Sequence, residues 1–181
     1  MILDAVGTGK LILYCQPIVN VEDRAVAMYE VLVRLELVQG DVKMPFDFIP
    51  QAEAMDMVQL IDERVIERSC QRWREFADAG EELRLAINVS AKSVGPELAD
   101  YIVEQADWHR VPNQALTFEI TETAGLRTEE FTEGFLRPLL EAGFRLAIGR
   151  LRQRSDVTEA ERRTGLRHPE ARRQPDTESQ V

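Results

Sequence analysis

The chain alternates short apolar runs, rich in β-branched residues, with longer segments in which apolar residues recur every three or four positions. This alternation restricts the fold more than any other feature, because it is typical of repeated β/α units built around a parallel sheet. Five runs between Leu11 and Ile148 predict strands: LILYCQPIV, AVAMYEVLVRL, LRLAINVS, LTFEITET and FRLAI.

Three of the intervening segments predict helices: MVQLIDERVIERSCQRWREFADAG, GPELADYIVEQADW and TEEFTEGFLRPLLEAG. The first has a continuous apolar face, formed by Val58, Ile61, Val65, Ile66, Cys70, Trp73 and Phe76. Gly143 lies where a C-terminal helix cap would precede the strand FRLAI.

The composition fits one soluble domain. The chain has 181 residues, 44% of them hydrophobic, and a net charge of −10, which argues against a nucleic-acid-binding protein. Cys15 and Cys70 have no metal-like spacing, and no apolar stretch is long enough for a membrane span. We therefore expect a cytoplasmic protein without nucleic-acid or membrane partners.

The composition changes after Ile148. Residues 1–148 contain 26 acidic and 14 basic residues, whereas residues 149–181 contain 6 acidic residues and 8 arginines. The second segment has few apolar side chains and no strand-like run, which indicates a disordered tail; a basic interaction tail is the alternative.

Four polar residues interrupt the predicted strands. Glu30 and Arg34 share one face of their strand, and Asn88 and Glu119 lie opposite the apolar residues of theirs. Each residue alone is explained by an edge strand or a buried ion pair. Together, at the carboxyl ends of parallel strands, the two carboxylates and the amide oxygen suggest an active site that binds Mg²⁺ or Mn²⁺.

At these residues the sequence resembles the EAL domain family of bacterial phosphodiesterases, which open cyclic di-GMP to the linear dinucleotide pGpG. YCQPIV, YEVLVRL, INVSAKSV and LTFEITETA resemble the family's YQPIV, YEALLRW, VNLSARQL and LELEITES, in the same order. FDFIPQAEAMDMVQLID and FRLAI also have counterparts. The resemblance covers about residues 8–148 and implies an α/β fold: an incomplete EAL-type (β/α) TIM-like barrel, with about the first five strands and one strand antiparallel to the others.

The resemblance also implies roles for residues. Those expected to bind Mg²⁺ or Mn²⁺ are Glu30, Asn88 and Glu119. Those expected to contact cyclic di-GMP are Gln16, Leu32, Arg34 and Glu53. Arg34 is expected at a phosphate, which suits a planar guanidinium, and Glu122 is expected to support the site.

Catalytic residues of the family pattern are missing after Ile148. Gly149 and Arg150 occupy the positions of two metal-binding aspartates, and Glu170 occupies that of a lysine near the attacking water. If the arginines are encoded as CGN, a shift of one base allows Gly149–Arg154 to be read as Asp-Asp-Phe-Gly-Ser-Gly. The same shift allows lysine at position 170, 20 residues after the second aspartate. We therefore predict that a frame change, by mutation or sequencing error, makes 1–148 a partial EAL domain and 149–181 a non-homologous tail.

Two functions follow from this pattern. The first is an EAL-type cyclic di-GMP phosphodiesterase in which the missing aspartates and lysine leave no intact catalytic group, so that this chain is inactive. The alternative is a degenerate, non-catalytic EAL module that binds cyclic di-GMP or a protein partner. An incomplete barrel leaves strand edges exposed, so we also expect a homo-oligomer or poor solubility.

Overall fold

The structure is a computed structural model, and it describes residues 10–37, 40–122 and 129–150. The strands are β1 (Leu11–Val19), β2 (Val26–Glu36), β3 (Val42–Lys43), β4 (Leu85–Val89), β5 (Leu116–Glu122) and β6 (Arg145–Arg150). The helices are α1 (Pro45–Ala54), α2 (Val58–Asp78), α3 (Pro96–His109), α4 (Glu129–Phe131) and α5 (Arg137–Glu141). A 3₁₀ turn at Asn113–Ala115 precedes β5, and a π-helical turn at Thr132–Leu136 joins α4 to α5.

The strands form one sheet in the order β1-β2-β4-β5-β6, and β3 pairs with the end of β2. Strands β2, β4, β5 and β6 are parallel, whereas β1 and β3 run antiparallel to β2. Helices lie between the consecutive parallel strands, as β/α crossovers require. All five predicted strands are present, and the prediction of an α/β, barrel-type arrangement is confirmed. One antiparallel strand was expected, and the described residues have two, β1 and the short β3.

The residue pattern does not predict β3 or α1. Strand β3 has two residues, too few for a periodic pattern. In α1, Pro50 argues against a helix because an interior proline removes a backbone hydrogen bond. The helix forms because Pro45 occupies its first turn, the Asp47 carboxylate accepts a hydrogen bond from the Met44 N–H at 3.3 Å, and Phe48 and Ala52 are buried.

One face of the sheet is apolar and is covered by the helices. Ile87 of β4 and Phe118 of β5 are completely buried there, and the Phe118 ring meets the Phe144 ring edge to face with centroids 5.8 Å apart. Helix α2 contributes six of the seven apolar residues predicted for its inner face. Phe76 is the exception, with 47% of its surface exposed, because its helix outruns the short strand β4.

The predicted helical segment before β6 is present but irregular, since a π-helical turn separates α4 from α5. Gly143 ends it with φ +94°, and its N–H donates to the Leu140 carbonyl at 3.0 Å. The predicted cap is therefore confirmed, because the left-handed conformation favours glycine. No helix in the described ranges is long and apolar enough to cross a membrane.

Strand β6 continues two residues beyond the predicted end. Gly149 pairs with Thr121, and Arg150 pairs with Glu122, in the parallel register that begins at Arg145. The strand continues because pairing uses backbone groups, which do not depend on whether aspartates or other residues are present. The tail prediction for residues 151–181 lies outside the described residues.

Candidate metal and nucleotide site

The uncovered face of the sheet is lined with polar residues from four strands. Gln16 of β1 is paired with Glu30 of β2, and Glu30 is paired in turn with Ala86 of β4. Asn88 of β4 is paired with Glu119 of β5. Because side chains alternate along a strand, these residues lie on the face opposite the buried residues Ile87 and Phe118.

The structure brings Glu30, Asn88 and Glu119 together. The side-chain amide of Asn88 donates a hydrogen bond from Nδ2 to Glu30 Oε1 at 3.1 Å. Asn88 and Glu119 are directly opposite each other on adjacent strands. The three residues come from separate strands, so the fold, not their spacing in the sequence, creates the cluster.

The negative charges of Glu30 and Glu119 repel each other in this cluster. Partial burial raises the pKa of the Glu119 carboxyl, and the nearby Glu30 carboxylate raises it further. Two acidic groups that repel each other in a partly desolvated place are stabilised when a cation binds between them. Such an arrangement costs stability in the free protein and favours binding of a cation.

The donor set suits a hard divalent cation. Two carboxylates and an amide oxygen are ligands that Mg²⁺ and Mn²⁺ accept, with water completing the coordination. The described part of the chain contains no cluster of three or more His, Cys, Asp and Glu residues that could hold a metal. The residues therefore fit one ion with part of its coordination supplied by water, and they do not form a closed protein cage.

Arg34 and Leu32 continue the polar face along β2. The Arg34 guanidinium lies over the Tyr14 ring, 5.7 Å from its centroid, and its Nη1 donates to the Val33 carbonyl at 2.9 Å. Stacking on an aromatic ring limits the rotamers of the guanidinium without neutralising its charge. Leu32 lies between Glu30 and Arg34 on this face and is half-buried, whereas Gln16 is exposed.

Glu53 lies at the end of α1, beside the turn that follows β4. The Ser90 hydroxyl donates to Glu53 Oε1 at 3.1 Å, and Lys92 Nζ donates to the Glu53 carbonyl at 3.2 Å. Glu53 is therefore bonded to Ser90, which lies two residues after Asn88 in the chain. Its expected contact with a nucleotide stays a prediction.

Asp62 of α2, which is 6% exposed, is not among the residues predicted from the sequence. Its Oδ2 accepts a hydrogen bond from the Ser90 N–H at 3.0 Å. Burial raises the pKa of Asp62 to about 7, against the opposing effects of the Ser93 hydroxyl and the Ser90 N–H, and Glu53 and Glu63 add to the rise. The sequence did contain a signal, since Asp62 lies four residues after Val58 on the apolar face of its helix.

The remaining predicted positions lie at the ends of β5 and β6. Glu122 is the last residue of β5, and its side chain falls outside the described residues. Gly149 lies two residues beyond Ala147, which pairs with Glu119. Gly149, where the family pattern has the first of its two aspartates, pairs with Thr121 of β5, two residues beyond Glu119.

Comparison with known proteins identifies the family. The model of the EAL domain matches residues 1–161, which continues past Ile148. The chain is 31% identical over 157 residues to the cyclic di-GMP phosphodiesterase PdeB of Shewanella oneidensis, covering 81% of this chain and 17% of PdeB. It is 32% identical over 146 residues to the cyclic di-GMP phosphodiesterase NbdA of Pseudomonas aeruginosa, covering 80% of this chain and 19% of NbdA.

Solved structures agree with this result. The Xanthomonas citri FimX EAL domain in complex with cyclic di-GMP is similar with a TM-score of 0.72 and 25% identity, over 80% of this chain and 56% of that one. The PaMucR phosphodiesterase in complex with cyclic di-GMP gives a TM-score of 0.70 and 25% identity, over 81% and 60%. The chain thus spans less than a fifth of these two curated relatives and little more than half of the solved chains. Its sequence and its sheet together place this chain in the EAL domain family.

Proposed function

We propose that this chain is an EAL domain of the cyclic di-GMP phosphodiesterase type that keeps the first half of the site and does not hydrolyse the nucleotide. One observation supports the proposal: Gly149, which pairs with Thr121 two residues beyond Glu119, stands where the family pattern has a metal-binding aspartate. Arg150 follows it in place of the second aspartate of the family pattern, so neither position supplies a carboxylate ligand for a cation.

In this proposal Glu30, Asn88 and Glu119 hold one Mg²⁺ or Mn²⁺. When bound, such an ion would polarise a phosphoryl oxygen and lower the pKa of a coordinated water. The hydrogen bond from Asn88 to Glu30 orients both side chains before any ion arrives. Glu119 supplies the second carboxylate from the neighbouring strand.

The nucleotide contacts are assigned to the same face. Arg34, held over Tyr14, would pair with a phosphate of cyclic di-GMP, because a guanidinium can donate two parallel hydrogen bonds to phosphate oxygens. Gln16 would hydrogen-bond the nucleotide, Leu32 would supply an apolar contact, and Glu53 would contribute from the rim. Glu122 would support the site from the end of β5.

A hydrolysis assay tests the proposed loss of activity. Purified protein incubated with cyclic di-GMP and Mn²⁺ or Mg²⁺ should form no pGpG. The Glu30→Ala variant is the matched control, since it removes a proposed ligand and should give the same background. Turnover in the parent chain that disappears in Glu30→Ala would overturn the proposal.

A second candidate function is a module that binds cyclic di-GMP or a protein partner without chemistry. The exposed Gln16 and the ring-stacked Arg34 favour it, because neither depends on the missing aspartates. Titration calorimetry with cyclic di-GMP, run with no divalent cation present, tests this candidate, because the first proposal also relies on a bound cation. Binding that is lost in Arg34→Ala but kept in the distant surface variant Arg72→Ala would favour the binding module.

A further inference from the structure

Asp62 is an acid buried in an unfavourable place. It lies in the apolar face of α2, and the groups that act on it are Ser90, Ser93 and Glu53 from neighbouring segments and Glu63 from α2 itself. Two of these are acids and none is a cation. An ionised carboxylate in such surroundings costs stability unless it makes hydrogen bonds.

The hydrogen bond that Asp62 makes leads to the turn after β4. Its carboxylate accepts the Ser90 N–H at 3.0 Å, a bond between α2 and the backbone of that turn. Within the turn, the Ser93 N–H donates to the Ser90 carbonyl at 3.0 Å, and the Lys92 N–H donates to Ser90 Oγ at 3.3 Å. Ser90 is therefore the residue through which helix α2 holds this turn.

A second anchor comes from α1. The Ser90 hydroxyl donates to Glu53 at 3.1 Å, and Lys92 Nζ donates to the backbone of the same residue at 3.2 Å. The bonds from Asp62 and Glu53 both hold Ser90, which lies two residues after Asn88. The amide of Asn88 is in turn bonded to Glu30. The side chain of Ser93 is buried close to Asp62 but makes no hydrogen bond of ordinary geometry, so Ser90 carries the link.

We propose that Asp62 is a positioning residue for the metal and nucleotide site: by fixing the Ser90 N–H, it sets the carboxyl end of β4 and the orientation of Asn88. This inference rests on the proposed function, because Asn88 is assigned to the site there. Asp62 itself touches neither ion nor nucleotide. Its effect on Asn88 passes along the backbone from Ser90, two residues away. In an extended strand, the backbone sets the direction of the side chain.

Three variants separate the hydrogen bond from the charge. Asp62→Leu removes the acceptor and fills a similar volume. Asp62→Asn keeps an oxygen acceptor and removes the charge. Glu63→Gln is the matched control, since it removes an acidic side chain at the next position of α2, whose bond is to Gln59 of the same helix.

The first measurement needs no ligand. By NMR, the Ser90 amide proton should exchange about tenfold faster in Asp62→Leu, the factor expected for the loss of one hydrogen bond. The Asn88 side-chain amide signals should shift in the same variant. In Asp62→Asn and Glu63→Gln, the exchange rate of the Ser90 amide should stay within twofold of the parent rate. The Asn88 signals should keep the chemical shifts that they have in the parent. Unchanged Ser90 and Asn88 signals in Asp62→Leu would overturn the inference, as would an Asp62→Asn variant as disturbed as the leucine variant.

The second measurement is the Kd for cyclic di-GMP in the presence of Mn²⁺, at a temperature where circular dichroism shows every variant folded. Asp62→Leu should bind about tenfold more weakly, and Asp62→Asn should restore binding. Equal affinity in Asp62→Leu and the parent would overturn the inference. If the parent itself binds neither cyclic di-GMP nor Mn²⁺, the proposed function fails, and the exchange measurement alone decides the role of Asp62. If the leucine variant does not fold, Asp62→Ala takes its place with the same expected outcomes.

Discussion

The side-chain amide of Asn88 donates a hydrogen bond to the Glu30 carboxylate across 58 residues of sequence. This bond joins two strands that are adjacent in the sheet, although β3, α1 and α2 separate them in the chain. It shows how a parallel sheet collects polar side chains from distant positions at one end. The candidate site is therefore a property of strand order and register.

Glu119→Gln tests whether the cluster binds a cation. The substitution removes one of two repelling carboxylates, so the free variant should be as stable as the parent or a few tenths of a kcal/mol more stable, since the site is partly exposed. Saturating Mn²⁺ should raise the Tm of the parent and leave that of Glu119→Gln unchanged. Glu36→Gln, at the exposed end of β2, is the control and should respond to Mn²⁺ like the parent. Equal Tm shifts in all three proteins would contradict a site at Glu119.

Asp62→Asn tests the buried acid through the pH dependence of stability. The folded pKa of Asp62 is about 7 and the ordinary value is 3.8, so the folded state holds its proton more tightly than the unfolded state. Stability from this group is fully present below pH 3.8 and is lost as the pH rises towards 7, because the ionised form is desolvated beside Glu53 and Glu63. The asparagine of Asp62→Asn does not titrate. Over this pH range, the free energy of unfolding of the variant should therefore rise relative to that of the parent.

The expected gain is at most about 4 kcal/mol above pH 7, from about 1.4 kcal/mol per pKa unit, and close to zero near pH 4. Urea unfolding of both proteins at several pH values measures it. Glu63→Gln is the control and should change stability by no more than a few tenths of a kcal/mol. A difference between Asp62→Asn and the parent that is the same at pH 4 and pH 8 would show that Asp62 is not the titrating group.

The strands and the polar residues on them could be predicted from the sequence, because a period of two separates Glu30, Asn88 and Glu119 from apolar neighbours. Their mutual contacts could not, since the register that pairs Asn88 with Glu119 depends on packing between distant segments. Asp62 was missed for a related reason. A carboxylate among apolar residues gives no indication of its partner, and the Ser90 N–H is a backbone donor that no residue pattern reveals.

Helix α1 shows a different limit. Pro50 lowers its helical propensity, but burial of Phe48 and Ala52 outweighs the loss, and burial is a tertiary effect. The opposite occurs in α2, where the apolar pattern at Phe76 overestimates burial because the helix extends past β4. Sequence patterns thus predict which residues are suited to a core, and the lengths of neighbouring elements decide which of them reach it.

Gly149→Asp tests what the candidate site lacks. In β6, position 149 follows Ala147 on the polar face; Ala147 pairs with Glu119 of β5, and Gly149 pairs with Thr121, two residues further along. We expect a carboxylate at position 149 to become an additional ligand. We expect Mn²⁺ affinity to rise on the order of tenfold, or about 1.4 kcal/mol, by calorimetry. Arg145→Asp is the control: it lies four residues earlier on the same face, changes the charge by more, and should have little effect. A larger gain from Arg145→Asp would indicate a nonspecific charge effect.

The edges of the sheet predict association. Among the described strands, β1 and β6 each pair with one neighbour, and Ile18 of β1 is 38% exposed. Unpaired strand edges bind other strands, so light scattering should find an oligomer. Ile18→Lys places a charge on the edge strand and should shift the population towards monomer, whereas Trp108→Lys, 80% exposed on α3, should not. A monodisperse monomer with a cooperative melt in the parent would contradict this prediction.

The nucleotide sequence tests the predicted frame change. If residues 149–181 are read out of frame, the codons of Gly149–Arg154 must spell Asp-Asp-Phe-Gly-Ser-Gly when read one base later. The codon of residue 170 and the base after it must then give lysine. A gene with one base removed just after the Ile148 codon should encode the missing aspartates and lysine, and we expect its product to release pGpG where the parent does not. Codons that exclude the aspartates in the next frame would refute the frame change, and Gly149 and Arg150 would then be the chain's own residues at this site.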